Sequence, residues 1–223
     1  MTIELSNAID ALYRTFSPVP KPTTIEGCRC CIEDKDVYIL LTKPLREIAP
    51  AELSAYASSV FLTVGSEGDF RYFLPRIVEV SLREPSWWPD PEVAAHKLSL
   101  AQWAKWPPQE RASIIRAFEI HFDSLIAKTD GYRLDSWLCA SARAGLPLQA
   151  FLERIGREPS AVLELYRHNA NELSERRLGN AFWDDAPKEA MKEVVDWFYS
   201  TDISLLILKG YGVDLNLPDR RSP

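Results

Sequence analysis

At 223 residues the chain suits one large domain or two small ones, and it is long enough to bury a substantial core. Apolar residues make up 46% and charged residues 26%, as in ordinary water-soluble globular proteins. The net charge is −6 and no basic run exceeds the pairs Arg176–Arg177 and Arg220–Arg221, which argues against nucleic acid as a partner.

The opening MTIELSNAIDALYRTF carries Glu4 and Asp10 and no basic start, so it does not read as a secretory signal. Within it Leu5, Ile9, Leu12, Tyr13 and Phe16 recur at helical spacing, and SPVPKP then ends the helix. Residues 1–26 therefore read as an N-terminal helix followed by a proline-rich arm. After the turn GCRCC, the run VYILLTKP is β-rich but enters through Glu33, Asp34 and Asp36, and helix is the favoured reading. Pro50 opens a helix whose face carries Leu53, Tyr56, Ala57, Val60, Phe61 and Val64. Gly65 and Gly68 mark the turn into GDFRYFLPRIVEVSLRE. There Phe70, Phe73, Leu74, Ile77 and Val78 form one buried stripe, Asp69 is the expected cap and Pro75 the expected kink.

Asp90-Pro91-Glu92 starts the next helix, with a second capping box expected at Ser99 and Gln102. Pro107–Pro108 precedes a long helix bearing Ile114, Ile115, Phe118, Phe122, Leu125 and Ile126 on one face. Gly131 separates it from a helix with Leu134, Trp137, Leu138 and Ala142, which Gly145–Leu146–Pro147 ends. Helices at about 148–155 and 159–173 follow, then one from Pro187 to Phe198, and Thr201–Asp202 caps a last apolar turn. The fold class is all-α: an irregular multi-helix bundle or an imperfect α-solenoid of helix pairs, as no fixed repeat period is present. Residues 27–210 read as a single helical domain and 211–223 as an irregular, mobile tail.

Cys28, Cys30 and Cys31 are the sharpest chemical feature. The C-x-x-C spacing of Cys28 and Cys31 lets two thiolates share a tetrahedral Zn²⁺ or close a redox disulfide. Zinc needs further ligands, from Cys30, Cys139, His96, His121, His168 or carboxylates. The redox reading lacks the βαβ context of a thioredoxin-like motif, and reduced cysteines filling space near a turn are the simpler alternative. Trp87, Trp88, Trp103 and Trp106 near His96 either line a ligand groove or fill helix junctions. His121, seven residues after Ile114, is expected to be buried and hydrogen-bonded, and His168 to be exposed. Asp184–Asp185 reads as a cap before Pro187. No phosphate-binding glycine loop, nucleophile elbow or HExxH is present, so no catalytic residue is assigned and an enzyme is disfavoured.

The blocks GCRCC, LTKPLREIAPAELSAYASSVFLTVG, DFRYFLPRIVEV and KLSLAQWAKWPPQER, spanning residues 27–111, resemble an uncharacterised family of bacterial proteins. The resemblance implies a soluble, mainly helical bacterial protein with cysteines near its N-terminus, and it brings neither an activity nor functional residues. The leading functional expectation is a cytoplasmic, acidic protein-binding module, such as an immunity or antitoxin-like protein that blocks a toxin, with no nucleic-acid or membrane partner. The alternative is a zinc- or thiol-dependent protein centred on Cys28 and Cys31, with Cys30 as a third metal ligand and zinc as the cofactor.

Overall fold

The computed structural model describes residues 2–28 and 30–213. Among them the chain forms eleven α-helices: α1 (Ile3–Phe16), α2 (Asp34–Thr42), α3 (Pro50–Ser59), α4 (Glu67–Arg83), α5 (Pro91–Leu100), α6 (Pro108–Ile126), α7 (Gly131–Ala144), α8 (Gln149–Gly156), α9 (Pro159–Leu173), α10 (Lys188–Phe198) and α11 (Thr201–Gly210). Short 3-10 turns lie at Leu45–Glu47, Trp103–Lys105 and Ala181–Asp185. Among the described residues no sheet forms; Val64 makes isolated bridges to Gly27 and Val60. The class is all-α, and none of these helices is long and apolar enough to cross a membrane. Of the tail expected at 211–223, residues 214–223 lie outside the described residues.

Helix α1 packs on α6 and α4, α5 on α7, α7 on α9, and α9 on α11. A solenoid unit touches only its neighbours, whereas α1 meets α6 across roughly a hundred residues of chain, so the architecture is a bundle. Leu5, Ile9, Leu12 and Phe16 are buried, and a polar hub fixes the helix in place. Tyr13 Oη donates to Glu79 Oε2 of α4 at 2.7 Å, and the same carboxylate takes Arg76 at 2.8 Å and Arg83 at 3.3 Å. Glu79 is buried, so three donors offset its desolvation. Further on, Lys21 Nζ donates to the Lys43 carbonyl at 2.9 Å and ties the proline-rich segment down.

Several helix ends differ from expectation for local reasons. Ser66, not Asp69, caps α4; Asp69 sits one turn inside and accepts from the Ser66 backbone N–H at 2.8 Å. The helix continues through Pro75, where the expected stripe is buried. Helix α3 stops at Ser59, because Phe61 turns to φ 65° and starts the loop that carries Val64 back. No capping box forms at Ser99: α5 ends at Leu100, and Gln102 adopts φ 51° before the turn at Trp103. Ser200 rather than Thr201 precedes α11 as its cap residue.

Helix α7 is the centre of the second half. Its residues are buried almost all round, which forces its polar side chains to find partners inside. Asp135, with no exposed surface, accepts from Asn169 Nδ2 at 3.0 Å and from Trp183 Nε1 at 3.3 Å. Asn169 in turn accepts the Gly179 N–H at 2.8 Å, so α7, α9 and the turn after α9 close on one carboxyl. Burial pushes the Asp135 carboxyl above its usual range, the hydrogen bonds opposing this. Gly131 opens α7 directly against α9: a Cβ there would lie 2.2 Å from the Glu164 carbonyl oxygen and 2.5 Å from its carbon.

Both features set stability. Gly131→Ala has backbone, not a flexible side chain, in its way and is expected to cost about 1–3 kcal/mol or more in denaturant unfolding. Asp135→Ala takes an acceptor from the Asn169 and Trp183 donors and is expected to cost about 3 kcal/mol. Asp135→Asn costs less, since its carbonyl keeps one acceptor in place.

Candidate functional site

The cysteine turn is laid on the loop after α3 by backbone contacts. Cys28 N donates to the Thr63 carbonyl at 2.9 Å and Gly65 N to the Glu26 carbonyl at 2.7 Å. Between them Gly27 presses on Val64: a Cβ at residue 27 would meet Val64 Cγ2 at 2.9 Å, its Cα at 3.0 Å and the Thr63 oxygen at 3.1 Å. The lack of a side chain is therefore what lets the strand-like pairing form. Beyond it, Cys31 N and Ile32 N both donate to the Cys28 carbonyl, at 2.9 and 3.3 Å, closing a turn whose far end is anchored by buried Ile32.

This turn brings Cys28, Cys30 and Cys31 together, with all three Sγ atoms within 4.8 Å of one another. Cys28 Sγ lies 2.7 Å from Cys30 Sγ, and Cys30 Sγ lies 3.7 Å from Cys31 Sγ. Cys28 and Cys30 are exposed and Cys31 is half-buried. The contact with Cys30 holds the Cys28 thiol below its ordinary range, while the same contact pushes Cys30 up to about 11. Of this pair, Cys28 is the thiol whose ionised form the contact favours. The spacing argument rested on Cys28 and Cys31; in the fold it is Cys30 that touches both.

The other candidates separate from this turn. Cys139 is buried in α7, and burial raises its thiol far above the usual range. His96, His121 and His168 are not in the thiol group, and no described carboxylate joins it. Three of the four tryptophans brace helix junctions. Trp87 Nε1 donates to the Pro50 carbonyl at 2.8 Å, Trp103 Nε1 to the Ala144 carbonyl at 2.7 Å, and Trp106 Nε1 to Glu67 at 2.9 Å, leaving Trp88 as the exposed member. Asp184 and Asp185 do not cap α10; they face Arg177 at 3.3 Å and Arg143 at 3.6 Å. His168 is half-buried, edge-on to the Tyr132 ring, rather than exposed.

His121 departs most from expectation. It is buried as the spacing implies, stacked at 4.5 Å between ring centres on Trp137, but neither ring nitrogen has a hydrogen-bond partner among the described residues. No described carboxylate bonds to it. Its neighbours are cations instead. Burial, then Arg133 and Lys128, bring its pKa down to about 3. Arg83, Lys128 and Arg133 come from three separate segments, so no spacing in the sequence announces that they share a site with His121. No family model, curated protein or solved structure matches the chain.

A neutral buried imidazole with an unpaired N–H carries a penalty of about 1–3 kcal/mol. His121→Leu is therefore expected to raise stability at pH 7 by about 1 kcal/mol in urea unfolding. The folded pKa lies below the unfolded 6.5, so wild-type stability is fully present above that value and is lost as pH falls towards 3. The variant's advantage should accordingly widen on acidification. An advantage that is flat between pH 6.5 and 4 means that the ring charges without penalty.

Proposed function

We propose that the protein binds a soft metal ion, zinc in the first place, through the thiolates of Cys28, Cys30 and Cys31. The convergence of a third thiol carries this reading, since a disulfide needs only two. Thiolates about 2.3 Å from a tetrahedral Zn²⁺ stand about 3.8 Å apart. The 3.7 Å between Cys30 and Cys31 fits that edge, and the 2.7 Å between Cys28 and Cys30 must open by about 1 Å, which an exposed turn allows. Metal binding would release the protons of the thiols it takes up. Three protein ligands leave the fourth coordination position to water or to a ligand from outside the described residues.

A second reading is favoured by the short Cys28–Cys30 separation and the lowered Cys28 thiol: the pair acts as a dithiol. The Cys28 thiolate attacks a low-molecular-weight disulfide, and Cys30 displaces the mixed disulfide, so two thiols are oxidised as the small disulfide leaves as two thiols. The reading as an acidic immunity or antitoxin-like module in a bacterial cytoplasm rests on charge and aromatic content. Its would-be anchors sit on separate elements: Ile3 on α1, Tyr38 on α2, Leu62 after α3, Trp88 before α5 and Tyr132 on α7. That supports a protein partner less directly than three converged thiols support a metal.

Metal content and free thiols measured on one sample, purified without chelator, distinguish these. The expected result is about one zinc per chain, lost in Cys28→Ser and Cys30→Ser and kept in Cys139→Ser, with three thiols protected until the metal is removed. Gly27→Ala should weaken zinc binding as well, because its Cβ pushes the turn off Val64. No zinc, with two thiols missing until a reductant restores them, would favour the dithiol. No zinc, and four titratable thiols on unfolding that remain four after exposure to oxidised glutathione, would remove both.

A further inference from the structure

A cavity of about 320 Å³ lies between the start of α1, the end of α4, α6 and the start of α7. Its apolar part is Leu5 and Leu82, both buried, and His121 is on its wall. Its charged lining is Arg83, Lys128 and Arg133, and among the described residues no acidic side chain lines it. The chain as a whole has 32 acidic residues against 26 basic ones, so this cavity reverses the sign of the molecule. Arg83 shares its charge with Glu79 at 3.3 Å, whereas Lys128 and Arg133 form no ion pair among the described residues.

Three cations placed together repel one another, and this arrangement is held without a counter-charge on the wall. His121 adds an independent sign of an incomplete site, being only 3% exposed with both ring nitrogens unpaired. Tyr56, Arg71, Ser81 and Arg111 also keep buried donors without acceptors, but of these unpaired groups only His121 lines this cavity among the described residues. The volume stands at the lower end for small-molecule pockets and admits a metabolite-sized guest rather than a stretch of polypeptide.

We infer that this cavity binds a small organic anion, its carboxylate or phosphate oxygens held by Lys128, Arg133 and Arg83 and its carbon skeleton lying on Leu5 and Leu82 beside His121. Arginine offers paired N–H donors to either kind of oxygen, so the shared chemistry is a compact group of anionic oxygens. Lys128 is exposed and Arg133 half-buried, so the lysine offers its charge to solvent while the arginine offers a forked contact nearer the interior. This site shares no residue with the cysteine turn, and its occupancy does not depend on metal there.

Pyrophosphate and succinate, titrated separately into the full chain at low ionic strength, test the inference by calorimetry and by side-chain ¹⁵N–¹H spectra of the three histidines. At least one probe is expected to bind one to one below roughly 1 mM and to move the His121 ring signals. Lys128→Gln with Arg133→Ala should weaken it at least about tenfold, while Lys192→Ala on α10 leaves it unchanged. Saturation by pyrophosphate alone identifies a phosphate ester, by succinate alone a carboxylate, and by both a site open to either. No saturation by either probe up to about 10 mM overturns the inference, as does wild-type affinity in the double variant. Lys128→Gln, at an exposed position beyond α6, carries the comparison by itself should the double variant not fold.

Discussion

The second half of this molecule is organised by one buried carboxyl. Asp135 lies on a helix with hardly any face left to solvent, so it can be kept only by donors from elsewhere in the chain. Asn169 and Trp183 supply them, from α9 and from the turn at residues 181–185. Without Asp135 the Trp183 N–H loses its acceptor and Asn169 keeps only its bond to the Leu165 carbonyl, so the three are coupled. Nearby, Asn180 Nδ2 donates to buried Glu92 at 2.7 Å, and Arg143 spans from the Glu92 carbonyl to the Phe182 carbonyl. Apolar packing alone tolerates small slides of one helix along another. This network does not, because its directional bonds fix which turn of α9 meets which turn of α7.

The first half is fixed differently, through Glu79 and the packing of α1. Tyr13, Arg76 and Arg83 reach one carboxylate, and Arg46 lies 4.0 Å over the Tyr13 ring while pairing with Asp10. With α1 seated on α4 and α6, the N-terminal segment becomes a wall of the body, and a cavity opens where its first turn meets α6. The cysteine turn sits apart from both hubs. It is tied to residues 63–65 by two backbone hydrogen bonds and a glycine, and Ile32 enters the core beside it. A rigid body therefore carries an exposed, locally anchored thiol turn, a combination that holds ligands in place while leaving them reachable.

Helical periodicity was readable because most helices here have one apolar stripe: Leu5, Ile9 and Leu12 or Phe70, Phe73 and Ile77 allow no other reading. Helix α2 was harder, being short and β-rich: the acidic residues at its start fitted a helix, and the lack of a neighbouring strand partner decided it. The misplaced ends share a cause. Phe61 and Gln102 take left-handed backbone angles that no residue type there announces, so α3 looked longer and α5 looked divided. The thiol group was visible because its members are neighbours in sequence. The tryptophan acceptors were not, since Pro50 and Ala144 offer backbone carbonyls that composition cannot reveal. Nor was the cationic wall around His121, assembled from Arg83, Lys128 and Arg133 across three elements. Sequence spacing finds a site within one turn of chain; a site shared among helices needs their packing first.

His121 shows how far that packing is from optimising stability alone. An aliphatic side chain at this position would meet Leu5 and Leu82 equally well and would avoid both an unpaired N–H and two nearby cations. Elsewhere three tryptophan N–H groups, Asn169 and Lys97 all reach acceptors, while Tyr56, Arg71, Ser81 and Arg111 each keep one buried atom unpaired. Burial even holds Lys97 down to about 8 while it donates to the Ser58 carbonyl at 2.8 Å. A fold able to find carbonyls for these groups was not short of ways to serve one imidazole. Local breaches of satisfaction that persist amid general compliance are where binding constrains the sequence more than stability does. On that reasoning the unpaired His121 ring and the cations Lys128 and Arg133, which have no ion-pair partner among the described residues, belong to one cavity, and an anionic guest supplies its counter-charge.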